Sequence, residues 1–167
     1  MRIYKDLRTG DELLTDTSPI KEIAGGFVFE VSTKYIVIKS ENDFDIGANA
    51  SAEETEEKLE NAEKQMIDLV YAQRLQECSF AKKDYMNHIK SYMKWLKENV
   101  KEEDRSKFEG EAQGFVKSML GKFDELCFYT GESMDTEAGM VILCLFSEDG
   151  MSQKFYFWRN GLKEEKV

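Results

Sequence analysis

The chain has 167 residues, 41% of them hydrophobic and 34% charged, with a formal net charge of −10. That length suits a single domain burying roughly two thirds of its unfolded surface, with a real core beneath an ionic exterior. The negative field repels phosphates, so nucleic acid is not expected as a general partner, and no apolar run approaches the roughly 20 residues that span a bilayer.

In chain order, the first segment carries short β-like runs at Ile3-Tyr4, Leu13-Leu14, Phe27 to Val31 and Tyr35 to Ile38. Thr9-Gly10-Asp11 and Gly25-Gly26 break them, which predicts a small antiparallel meander. Pro19, the only proline, falls between two runs, where its missing N–H costs no ladder bond. Residues 41–63 then hold nine acidic residues against Lys58 alone, a net of −8, with Phe44, Ile46 and Leu59 the only large apolar side chains. So little burial cannot offset ordering entropy, and a mobile acidic loop is expected, with helical tendency over residues 52–64.

The run Met66 to Tyr71 fits strand or helix by periodicity and is read as strand, and Ser79 is the expected cap of a long helix. Tyr85, Ile89, Tyr92, Leu96 and Val100 recur at the spacing of one helix face. Phe108, Ala112, Phe115, Val116, Met119, Leu120 and Phe123 repeat that pattern after a charged break at Lys101 to Asp104. The short connection predicts an antiparallel helical hairpin over about residues 80–125. Leu126 to Tyr129, Met140 to Phe146 and Lys154 to Trp158 return to strands, and Asp149-Gly150 and Asn160-Gly161 mark turns suited to positive φ. The order of strands, hairpin and strands is that of an α+β fold.

An enzyme is not expected. His88 is the only histidine and is read as an ordinary helix residue, so no histidine metal cluster or Ser-His-Asp triad can be assembled around it. No phosphate-binding glycine loop occurs, and no nucleotide site is expected. In Asn42-Asp43-Phe44-Asp45-Ile46-Gly47, Phe44 and Ile46 stand where an EF-hand needs oxygen ligands, so any calcium site is irregular. Cys78, Cys127 and Cys144 form no Cys-x-x-Cys pair and read as reduced, mostly buried small hydrophobes. The opening Met1 to Asp6 lacks the apolar stretch of a secretory signal, and a cytosolic location is expected.

One pattern points to binding. On the first long helix Lys83, Lys90, Lys94, Lys97 and Lys101 fall within a narrow arc, away from the Tyr85 to Val100 seam. Residues 81–101 carry a net +4 in a chain whose remainder is −14. A basic stripe of this kind steers an acidic partner at close range, where screening over about 8 Å weakens the more distant negative charge.

Several segments resemble the translationally controlled tumour protein family. Ile46-Gly47-Ala48-Asn49-Ala50-Ser51-Ala52-Glu53 is similar to one family motif. Phe128 to Met134, Gly139 to Val141 and Phe155 to Leu162 are similar to a second. Ile3 to Asp6 with Gly10 to Leu13, and Tyr85 to Lys94, are similar to the corresponding family segments, so the likeness covers nearly the whole chain. The resemblance implies a β-rich core, tent-like as in a zinc-containing chaperone of Rab GTPases, with a protruding helical hairpin and a flexible loop.

It also implies a multifunctional cytoplasmic binding protein with roles in growth and cell survival, secreted non-classically in some settings. The expected partners are tubulin and microtubules through Lys83, Lys90, Lys94, Lys97 and Lys101. A Rheb- or Rab-type small GTPase, met through Glu12 by an exchange factor or chaperone, is the alternative. No cofactor is required. Weak calcium binding is implied, with Asp45, Asn49, Glu132, Asp135 and Glu137 as candidate ligands. Two departures narrow the transfer. Val167 stands where some members have cysteine, so no bridged dimer is implied and a monomer is expected. Asp135-Thr136-Glu137-Ala138 replaces the Asn-Pro-Asp form of animal members.

Overall fold

The structure, a computed structural model, describes residues 1–39 and 63–166. Among these, ten strands form two antiparallel sheets. The smaller has the order β10-β1-β2, from β1 (Arg2–Asp6), β2 (Glu12–Thr15) and β10 (Leu162–Lys166). The larger runs β3-β4-β9-β8-β7-β6, from β3 (Ile20–Ile23), β4 (Val28–Lys39), β6 (Gln76–Cys78), β7 (Cys127–Thr130), β8 (Ile142–Phe146) and β9 (Ser152–Trp158). β5 (Glu63–Ile67) pairs with the far half of β4. The α+β class is thus observed, with helices α1 (Asp68–Gln73), α2 (Lys82–Asn99) and α3 (Arg105–Leu120) gathered mainly in the middle of the chain.

The expected N-terminal meander is divided between the sheets. β1 and β2 form a hairpin that joins the C-terminal β10, while β3 and β4 belong to the larger sheet. The two runs predicted at residues 27–31 and 35–38 are one strand, because Ser32, Thr33 and Lys34 also pair with β9. Their polar side chains hid the continuity: Thr33 is buried and its hydroxyl donates to the Gln153 side-chain oxygen at 2.9 Å. The run at residues 66–71 is strand only as far as Ile67. Asp68 then turns the chain into α1, its carboxylate accepting from the Leu69 and Lys34 N–H groups at 2.7 and 3.3 Å. Residues 63 and 64 lie in β5, not in a helix, and the rest of the expected acidic loop lies outside the described residues.

The hairpin follows the periodicity. Tyr85, Ile89, Tyr92, Leu96 and Val100 are all buried on α2, and Phe108, Ala112, Phe115 and Met119 on α3, while Val116, Leu120 and Phe123 are half-buried. Asp84 in the first turn of α2 and Lys97 in its last both favour the helix dipole. The helix starts later than expected, because extended Ala81 occupies the cap position and its carbonyl accepts from Tyr85 N–H at 2.9 Å. Ser79 lies outside and caps nothing. α3 lays Phe115 against Tyr156 and Trp158 of β9, both at 5.4 Å between centroids, and Phe108 against Phe27 at 5.3 Å.

Gly161 does not take the positive φ expected of an Asn-Gly turn. It sits in a short 3-10 turn (Arg159–Gly161) against α2, where a Cβ would collide with the Tyr92 hydroxyl and lie 2.8 Å from the Met140 methyl. Close approach, not handedness, makes this position glycine. Gly150, in the β8–β9 turn, does have φ +73. All three cysteines are free; Cys144 is buried and the other two half-buried, with burial pushing the Cys78 thiol up to about 11.

Candidate functional site

Two surfaces carry the residues singled out above. The first is the hairpin. Lys83, Lys90, Lys94 and Lys97 project from α2 on its solvent side, all exposed. Lys101 does not belong to that face, because the helix ends at Asn99 and Val100 turns extended with ψ 141. It lies at the hairpin tip beside Glu102, Glu103 and Asp104, whose charges offset its own. Lys97 forms an ion pair with Glu109 of α3, both side chains about half exposed. A pair this wet contributes about 0–1 kcal/mol, so it orients Lys97 more than it stabilises the hairpin. The stripe therefore borders the seam between the helices, and is less remote from packed surface than its helical arc implied.

Within that seam lies a groove of about 660 Å³ lined by Ile89, Lys90, Met93, Lys94, Lys97, Phe108, Glu109, Ala112, Gln113, Val116, Lys117 and Leu120. Nothing in the sequence pattern announces it. Met93 and Lys117 were not singled out, and only the crossing of the two helices brings them together.

The second surface is built on the β1–β2 turn. Asp6 is buried, and its carboxylate accepts from Arg8 N–H at 2.8 Å, Thr9 N–H at 3.4 Å and Met140 N–H at 2.7 Å. One side chain thus fixes the turn and ties it to the strand approach of β8. Asp11 reaches across to accept from the Ser133 hydroxyl at 2.5 Å and its N–H at 3.2 Å. A Cβ on Gly131 would lie 2.5 Å from the Asp11 carboxylate, so the two segments meet at glycine distance. Glu12 follows directly, exposed at the start of β2, and faces Lys5 across the ladder.

Arg8 extends from the same turn to α2, its guanidinium 5.0 Å from the Trp95 ring centroid. His88, on α2, is half-buried in an aromatic row, its ring stacked on Tyr92 at 5.7 Å and tilted against Phe80 at 6.1 Å. Burial holds its pKa below the ordinary histidine value; a hydrogen bond with the Thr136 backbone opposes the shift and the Arg8 charge adds to it.

The calcium candidates divide. Asp45 and Asn49 lie outside the described residues. Glu132 pairs with Arg74 at 3.3 Å, and Asp135 turns back on its own loop to accept from the Glu137 and Ala138 N–H groups at 3.1 and 2.9 Å. Glu137 is exposed. Among the described residues no three His, Cys, Asp or Glu side chains are grouped closely enough to hold a metal ion. No helix among them is long and apolar enough to cross a membrane.

Comparison with known proteins places this geometry. The family model described as translationally controlled tumour protein matches residues 1–163. A translationally controlled tumor protein homolog of Schizosaccharomyces pombe is 43% identical over 169 residues, covering 99% of each chain. The Alternaria alternata homolog is 42% identical over 172 residues and covers all of both. Among solved structures, the translationally controlled tumor-associated protein p23fyp of Schizosaccharomyces pombe superposes with a TM-score of 0.81 at 42% identity, covering 100% of each chain. The solution structure of the Caenorhabditis elegans protein gives 0.70 at 25% identity, covering 100% of this chain and 99% of that one.

Proposed function

Since the chain belongs to the translationally controlled tumour protein family, we propose that it is a cytoplasmic binding protein and not a catalyst, whose hairpin lysines engage tubulin and microtubules. The observation that carries this reading is the row Lys83, Lys90, Lys94 and Lys97, exposed along one helix of an otherwise acidic molecule. Tubulin tails are acidic, and clustered lysines attract them at short range while the rest of the protein is screened. The binding supports roles in growth and cell survival. Co-sedimentation with microtubules across a salt series tests it. Pelleting at low salt that fades as salt rises, and drops at least roughly tenfold when Lys90, Lys94 and Lys97 become Glu, is the expected result. No pelleting at low salt, or no effect of the charge reversal, would refute it.

A second reading is regulation of a small GTPase of the Rheb or Rab type, as exchange factor or chaperone. It is favoured by Glu12, an exposed acid on an edge strand whose neighbour Asp11 is clamped by Ser133. Accelerated nucleotide release by the wild type, abolished in Glu12→Val, is the outcome it requires. Weak calcium binding is a further proposal that rests on the family alone, since no three carboxylates converge among the described residues, and calorimetry at millimolar calcium decides it through the presence or absence of heat.

A further inference from the structure

The groove between α2 and α3 has a chemistry that the lysine row alone does not require. Its floor is apolar: Ile89, Phe108 and Ala112 are buried, while Met93, Val116 and Leu120 remain half-exposed. Its rim is basic, with Lys90, Lys94 and Lys97 on one wall and Lys117 on the other, and its single acid, Glu109, is paired with Lys97 from wall to wall, which leaves Lys90, Lys94 and Lys117 to meet an incoming acid. The lining therefore carries a net +3 in a chain of net −10. From Phe108 to Leu120 the floor runs roughly 18 Å along α3, about three turns of helix.

We infer that this groove binds the apolar face of a short amphipathic helix belonging to an acidic partner. Each part of the site selects a part of that ligand. An apolar stripe at helical spacing fills the seam over Met93, Val116 and Leu120, in the way helices seat in grooves elsewhere. Met93 adapts its shape to the anchors it meets. Lysines on both walls match acids on both flanks of the incoming helix. An extended polyacidic tail would use the rim and leave the floor wet, and a flat bilayer cannot enter a channel walled on two sides. The inference rests on the reading of the hairpin as a contact surface and adds the apolar anchor.

The test uses the full chain and three fluorescein-labelled synthetic peptides of about 16 residues, followed by anisotropy. One carries leucines on one helical face among glutamates, one has the same composition scrambled, and one is polyglutamate. The amphipathic peptide is expected to bind at least roughly tenfold tighter than either control, and Val116→Asp or Leu120→Asp to weaken it roughly tenfold. Lys90→Gln with Lys94→Gln should weaken it less, with a larger effect at low salt. Should the aspartate variants fail to fold, the Met93 methyl resonance of the wild type must shift on adding the amphipathic peptide and stay in place with polyglutamate. Equal binding of all three peptides overturns the inference. So does a Met93 shift produced by phosphatidylserine-phosphatidylcholine vesicles and not by the peptide, which would assign the face to lipid. Absent microtubule pelleting with peptide binding intact refutes the tubulin reading alone; pelleting with no peptide preference refutes the groove alone.

Discussion

Replacing Asp6 by alanine is expected to remove about 3 kcal/mol of stability. The residue is 3% exposed and its carboxylate accepts from three backbone N–H groups, of which the Met140 N–H is buried. Without its acceptor that amide is left unpaired, at about 1–3 kcal/mol. The Arg8 and Thr9 amides are only partly buried and find water, so their lost bonds to a charged oxygen add about 1 kcal/mol together. For a domain of this size the sum lowers Tm by about 6–12 °C. Asp6→Asn keeps the shape but turns an NH₂ toward one of the amides it should receive, and should cost at least about 1 kcal/mol. Urea unfolding followed by circular dichroism measures both, with an unchanged m-value showing that two-state comparison holds. A loss below about 1 kcal/mol for the alanine variant, or an asparagine variant as stable as wild type, would refute the role assigned to this carboxylate.

Gly161→Ala drives a methyl into the Tyr92 hydroxyl and the Met140 methyl and should cost about 1–3 kcal/mol in thermal unfolding. Gly110 and Gly114 sit exposed inside α3 with nothing within 4 Å of an added Cβ, so alanine at each should instead stabilise by about 0.5–1 kcal/mol in the same assay. His88 titrates below its ordinary value in the folded chain, so the unfolded chain takes up its proton first. Tm should therefore fall as the pH drops below about 6.5, and His88→Gln should flatten that fall, as calorimetry between about pH 7 and 5 would show.

The hairpin was legible because its apolar residues repeat at one face of a helix over two long segments, a signal that survives without knowing what they touch. Strand partners were not legible. Arg2 to Asp6 finds β10 across the whole chain, and no local pattern announces that pairing. Asp68 and Ala81 show the limit at element boundaries. Asp68 opens a helix in an apolar run that reads equally as strand, and Ala81 takes the cap position that Ser79 matches better by type. At the candidate sites, exposure of the lysines and of Glu12 followed from charge. Asp6 stayed hidden among 33 acidic residues, since burial and not residue type distinguishes it. The groove was equally invisible, because its lining is shared between the two helices and only their crossing creates it.

The pairing of β1 with β10 has a mechanical consequence. Arg2 lies opposite Lys166 and Asp6 opposite Leu162, with Arg2–Glu164 and Lys5–Glu165 ion pairs at 3.0 and 2.9 Å along the seam. Tension applied between the two ends therefore meets the first rung of the ladder and opens it one rung after another, as in a zip. The hydrogen bonds, perpendicular to the strands, are loaded singly and never share the force in shear. The small sheet should yield at low force in a single-molecule pulling experiment, and release the β1–β2 turn and its Glu12 before the larger sheet is disturbed.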